Sequence, residues 1–244
     1  MTRLFVALLI AAGAVSRCGD AAPSEPVRVE EWAAGKQVSA AVIESWGGEQ
    51  SCFAILPIDS VKAAAMVAGG SYPEQGALIS LDELRCLHVL HVNADRDTLC
   101  GEMICNAAIA DDLIDIFREL FHQGYAIERM VPIDEYGADD ELSMRANNSS
   151  SFCYRVIAGS TRLSNHAKGR AVDLNPLYNP YVKTSNGKTV IQPSNAGPYL
   201  DRSADIPYKI DENDAAYKLF IAHGFTWGGS WTSLKDYQHF EKEQ

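Results

Sequence analysis

The chain has 244 residues, of which 47% are hydrophobic and 22% charged, enough apolar material for a sizeable globular core. Its 32 acidic and 21 basic side chains leave a formal net charge of -11. That balance argues against a nucleic-acid groove or a polybasic membrane face.

Thr2-Arg3 and then an apolar run of 12 residues, Leu4 to Val15, open the sequence. The run is too short for a membrane-spanning helix, which needs about 20 residues. It has the length and flanks of a secretory signal, with a buried core helix as the competing reading. Residues 1–17 are therefore expected to be a signal segment, and the protein to be exported to the periplasm or cell envelope. Cys18, just after the run, is a candidate for lipid attachment and membrane anchoring as a lipoprotein. Arg17 fits poorly the small residue such sites carry, and cleavage after Ala14-Val15-Ser16 is the alternative. Residues 18–31, rich in Pro, Ala and charge, read as a spacer. The six cysteines, Cys18, Cys52, Cys86, Cys100, Cys105 and Cys153, form no CxxC pair, which argues against a cysteine-based zinc knuckle. For an exported chain they predict one or two disulfides plus spares.

Residues 84–105 predict two strands, LRCLHVLHV and TLCGEMICN, joined by the polar turn NADRD. Ile109, Leu113, Ile116, Phe117, Leu120 and Phe121 recur at helical spacing, and Gly124 stands where a helix ends. A strand AIERMVPI is expected next, then a long polar surface loop over 134–151. Strands follow around Phe152–Ile157 and Ala171–Leu174, with a hairpin turn at Asn186-Gly187. A second amphipathic helix spans 213–222 and ends at Gly224. The last twenty residues predict two short strands around a glycine-tryptophan loop. Strands and helices alternate without a βαβ rhythm, which points to an α+β fold: a small, mostly antiparallel sheet with helices packed on it.

The chemistry concentrates at the C-terminal end. Ser164-Asn165-His166-Ala167-Lys168-Gly169-Arg170-Ala171-Val172-Asp173 sets an imidazole and a carboxylate on either side of a glycine that lets the loop bend. On a strand, Ala171 and Asp173 face one side while Val172 and Leu174 face the other. In Asp236-Tyr237-Gln238-His239-Phe240-Glu241, His239 shares a face with Tyr237 and Glu241, and Phe240 packs inward. Two imidazoles and one carboxylate suit zinc, and three protein ligands leave a fourth position for water. His88 and His91, three apart, face opposite sides of a strand and cannot share one metal. His122 and His223 fall near helix C-termini, where an imidazolium suits the dipole. Trp227 and Trp231, beside Gly228-Gly229, are equally readable as groove walls or as core. Neither a Ser-His-Asp spacing nor a phosphate loop is present.

Taken together, SNHAKGRAVDLNP, GFTWGGSW and DYQHFE resemble the zinc D-Ala-D-Ala carboxypeptidase and L-Ala-D-Glu endopeptidase family of cell-wall peptidases, over roughly residues 145–241. The pattern Ser-x-His-x-x-Gly-x-Ala-x-Asp, then an acid, two residues and His, is matched throughout. The resemblance implies the Hedgehog/DD-peptidase fold, with residues 32–244 as a single zinc peptidase domain. It implies zinc on His166, Asp173 and His239, with Asp236 as general base. Arg155 is implied to hold the polarised carbonyl oxygen, with Arg162 the weaker candidate. Ser164 is expected either to orient the histidine loop or to touch substrate, and Glu241 to fix the tautomer of a ligating histidine. The implied substrates are peptidoglycan peptides. The alternative is a non-hydrolytic, zinc-containing cell-wall binding module of the same fold; Asp236 beside the three ligands favours the enzyme. Residues 27–130 carry no motif of the family.

Overall fold

The computed structural model describes residues 31–155 and 163–243. The signal segment, Cys18 and Arg162 lie outside these. In chain order the elements are α1 (Ala40–Ser45), β1 (Ala54–Pro57), α2 (Ser60–Gly69), β2 (Leu84–Val92), β3 (Thr98–Asn106), α3 (Ala107–His122), α4 (Asp140–Arg145), β4 (Ala171–Asp173), β5 (Tyr181–Ser185), β6 (Lys188–Gln192), α5 (Ala215–Ala222), β7 (Thr226–Trp227), β8 (Lys235–Asp236) and β9 (His239–Glu241). The strands form three antiparallel sheets, ordered β1-β2-β3, β4-β9-β7 and β6-β5-β8. The class is α+β, as the sequence predicts. Among the described residues no helix is long and apolar enough to cross a membrane.

The hairpin β2–β3 is the centre of the N-terminal half. β2 is flanked by a strand on each side, and eight of its nine residues are buried, which is why its sequence is nearly continuous in apolar residues. The side chain of Asn106 accepts from the amide of Ala108 and starts α3. Ile109, Leu113, Ile116, Phe117 and Leu120 then line one face, and Gly124 (φ 62°) closes the turn beyond it. One apolar cluster continues from Leu87 and Val89 through this face to Val172, Phe220, Phe225 and Phe240. Phe220 of α5 meets Phe117 edge-on and stacks on Phe240 at 4.2 Å. The C-terminal end and the N-terminal half thus share a core.

Four sequence expectations are corrected. Residues 126–133 form no strand, because their bonds go to three different neighbours. The Ile127 amide donates to Val92, the Met130 carbonyl accepts from Glu102, and the Arg129 carbonyl accepts from Ser149. Residues 134–151 are not a surface loop. They hold α4, and Asn147, Asn148 and Ser149 are buried. Their polar groups act as internal ties: Asn148 bonds both backbone groups of Val131, Asn147 accepts from the Leu177 amide, and Ser149 accepts from the Asn175 amide. Residues 152–155 are likewise not in a strand, and 156–157 lie outside the described residues. Nor are disulfides formed among the described residues: Cys52, Cys86, Cys100, Cys105 and Cys153 are all free and buried. Cys86 and Cys105 sit one residue out of register on paired strands, so they face opposite sides of the sheet.

His91 is 2% exposed; Nδ1 lies 2.8 Å from the Ile127 carbonyl, and Nε2 has no protein partner. Nδ1 is then the protonated nitrogen, and burial pulls the imidazole down to about 4. Below its unfolded pKa of 6.5 the unfolded chain takes up the proton first, so this contribution to stability is present above 6.5 and lost as pH falls towards 4. Wild type should lose on the order of 3 kcal/mol relative to His91→Gln between pH 7 and pH 4. Denaturant midpoints of the two proteins across that range check it; a constant difference would show that His91 is not the source.

Candidate metal centre

The centre is built on the ladder between β4 and β9. Its register pairs Ala171 with Glu241, Val172 with Phe240 and Asp173 with His239. Val172 and Phe240, both fully buried, point into the apolar core, so Asp173 and His239 are delivered side by side on the opposite face. Asp173 Oδ1 lies 3.0 Å from His239 Nδ1. Beyond β4, the Asp173 amide donates to Ser150 and its carbonyl accepts from the Ser150 amide, so the strand is held on both edges.

His166 arrives on a single 3-10 turn, His166–Lys168. Ser164 Oγ accepts from the Ala167 amide at 3.0 Å, so Ser164 orients the loop. Gly169 ends the turn in the left-handed region (φ 65°), and an added Cβ would stand 2.6 Å from the Asn106 amide nitrogen. That close approach lets the Gly169 carbonyl accept from the Asn106 amide, while the Asn106 side chain donates to Lys168. The histidine loop is therefore docked on the junction of β3 and α3. His166 Nε2 ends 3.2 Å from Asp173 Oδ2 and 3.1 Å from His239 Nδ1.

The outer contacts fix both tautomers. His166 Nδ1 lies 2.7 Å from the Ser151 carbonyl, so it carries the proton and leaves the Nε2 lone pair facing inward. His239 Nε2 lies 3.1 Å from Glu241 Oε2, which leaves its Nδ1 lone pair facing inward. Glu241 is itself held by the Asn165 amide at 2.6 Å. Two lone pairs and a carboxylate thus converge at separations of 3.0–3.2 Å, an arrangement suited to a shared cation. All three groups are buried, and their ligating atoms lie within 4.8 Å of one another. The donor set fits a divalent metal.

The charges agree. Burial opposes the Asp173 carboxylate, yet His166 and His239 outweigh it and hold its pKa far below the ordinary range. Burial also opposes a charged His239, but Asp173 and Glu241 raise its pKa to about 10. His239 lowers Glu241 in turn.

Asp236 lies on β8, which pairs with β5 (Tyr181 opposite Asp236) in the sheet of the exposed β5–β6 hairpin. Gly228 passes so close that a Cβ there would stand 2.6 Å from the Asp236 carbonyl oxygen and 3.3 Å from the His239 Cβ, so only glycine fits. Asp236 Oδ1 is buried without a protein partner. Burial lifts this carboxyl to about 7, partly offset by His239. Arg155 runs beside the histidine loop, its carbonyl accepting from the Ser164 amide. Its guanidinium pairs with Asp140 at 3.0 Å. Trp227 belongs to the core, whereas Trp231 stands 5.4 Å from the His239 ring. Sequence reasoning missed Asn165, Ser151 and Asp140. Asn165 lay inside the motif, but the other two act through a loop expected to be on the surface.

No curated protein and no solved structure matches the chain. Residues 158–242, which contain the Asp173–His239 ladder, the histidine turn and Asp236, match the family model described as D-alanyl-D-alanine carboxypeptidase.

Proposed function

We propose that the protein is a zinc peptidase that hydrolyses stem peptides of peptidoglycan, as a D-Ala-D-Ala carboxypeptidase or an L-Ala-D-Glu endopeptidase. The observation that carries this is the convergence of His166 Nε2, His239 Nδ1 and Asp173 with Asp236 buried beside them. A zinc ion on the three ligands supplies Lewis acidity that polarises a peptide carbonyl and acidifies water. Asp236, with its carboxyl raised by burial towards neutrality, takes the proton of the attacking water and returns it to the leaving amine. Arg155, steadied by Asp140, offers positive charge to the developing oxyanion. Glu241 and the Ser151 carbonyl keep the two imidazoles in their ligating tautomers. Export by the N-terminal apolar run, with or without a lipid on Cys18, would bring the site to its substrate.

Purified protein is expected to carry the centre's zinc through His166, Asp173 and His239. His239→Ala and Asp173→Ala should each lose that ion and all hydrolysis together, as metal analysis would show; undiminished zinc in either would refute the ligand set.

Asp236→Asn keeps the shape of the side chain but accepts no proton. It should retain zinc and fold while turnover falls by about 10²–10⁴. Glu241→Gln should cost roughly tenfold to a hundredfold in metal affinity or rate. A near wild-type rate for Asp236→Asn alongside an inert Glu241→Gln would assign the base to the other carboxylate.

Mass spectrometry of muropeptides incubated with the wild-type chain identifies the bond. Loss of one alanine marks the carboxypeptidase, and release of the N-terminal alanine from the rest of the stem marks the endopeptidase. Zinc-loaded protein that leaves every muropeptide intact would instead support the binding module.

A further inference from the structure

A second group of ligating side chains converges on β2 and β3, outside the stretch that matches the family. Cys86 and His88 alternate on β2 and so point to one face, and Glu102 of β3 stands directly opposite His88 in the ladder. One ligand atom from each lies within 4.8 Å of the other two. The three residues are only 3%, 4% and 7% exposed. Their side chains occupy the face opposite Leu87 and Val89, which pack towards α3.

The chemistry of each group is that of a metal ligand. Burial pulls His88 down to about 4, so its ring is neutral and its nitrogens are basic lone pairs or weak donors. Its Nε2 is 3.8 Å from Glu102 Oε2, beyond hydrogen-bond length. A nitrogen and an oxygen on one four-coordinate ion, with bonds of about 2.0–2.1 Å, stand roughly 3.3–3.4 Å apart, so a closing movement of about half an ångström would bring both onto the same ion. The indole of Trp32 stacks on the His88 ring at 4.6 Å and fixes its plane. Lys62 does not fill the position. Its ammonium sits on Oε1 of Glu102 at 2.5 Å and leaves Oε2 turned to His88. A carboxylate held at one oxygen by an outer donor and free at the other is the geometry that supports ligation. Cys86 lies beside this carboxylate, with its ligating atom within 4.8 Å of those of His88 and Glu102.

We infer that Cys86, His88 and Glu102 form a second metal site, for a borderline-soft divalent cation of the zinc type, that joins β2 to β3 beneath Trp32. A thiolate, imidazole and carboxylate set selects such a cation over magnesium or calcium. Binding forms one metal–sulfur bond and releases the Cys86 thiol proton to solvent, with no change of oxidation state. Because the site is buried, its ion is structural and does not meet a peptide. The inference does not depend on the hydrolytic reading of the first centre.

Cobalt(II) titrated into the metal-free full-length protein separates the two sites. Only a thiolate ligand gives an intense sulfur-to-metal charge-transfer band in the near ultraviolet, whereas the His166, Asp173 and His239 centre contains no sulfur. Wild type should bind two ions and show the band. Cys86→Ser should lose the band and one ion, and so should His88→Phe, which keeps a ring against Trp32 and guards against a folding failure of the serine variant. His166→Ala should lose the other ion and keep the band. Saturation of wild type without a thiolate band overturns the inference, as does a band that survives in Cys86→Ser. A wild-type protein that shows the band yet binds no second ion would leave this site standing and remove the hydrolytic centre instead.

Discussion

The whole centre depends on the register of two short strands. β4 and β9 contribute three residues each, and Val172 opposite Phe240 is what locks them. Truncating a fully buried phenylalanine costs about 3–5 kcal/mol, far more than a three-residue ladder could lose and still hold its pairing. A slip by one residue would exchange faces, sending Asp173 and His239 into the apolar core and Val172 and Phe240 towards solvent. The hydrophobic pair therefore fixes which side of the strand carries the chemistry. Phe220, stacked on Phe240, extends that control to α5 and through Phe117 to α3.

Electrostatics then finish what packing begins. Two imidazole nitrogens stand 3.1 Å apart, each 3.0–3.2 Å from one oxygen of the Asp173 carboxylate, and each group is kept in a ligating form by something behind it. The Ser151 carbonyl stands behind His166, the chain Asn165–Glu241 behind His239, and the β4 backbone behind Asp173. Asp236 is treated differently. It is buried without a partner for Oδ1, so its charge is expensive where that of Asp173 is favoured. Two aspartates of one site are thereby driven to opposite ends of the carboxyl range.

The sequence made the C-terminal site readable because its residues carry local, position-specific demands. Gly169 must be left-handed, Val172 and Phe240 must alternate with Asp173 and His239, and the ligands must be two imidazoles and an acid. The β2–β3 hairpin and α3 were equally legible, since a long apolar run and a strong helical period survive any context. Residues 134–151 were not. Their Asn and Ser side chains look like a solvated loop, yet they are buried because they replace backbone partners that no strand supplies. Polarity in a sequence reports hydrogen-bonding capacity and does not say whether water or the chain's own backbone will use it. The disulfide expectation failed for a related reason: cysteine count is visible, but which face of a sheet each thiol occupies depends on register.

The docking of the histidine turn on Asn106 bears on modularity. The stretch that carries the family's signature supplies every ligand but not the surface those ligands rest against. The Gly169 loop leans on residue 106, the Asp173 strand leans on Ser150, and the His166 ring is aimed by Ser151. A fragment cut at the family boundary would keep the ligands and lose their mould. The N-terminal half, which carries no motif of its own, is in effect the jig in which the C-terminal site is assembled, and the two halves should have to evolve, fold and be expressed as one piece.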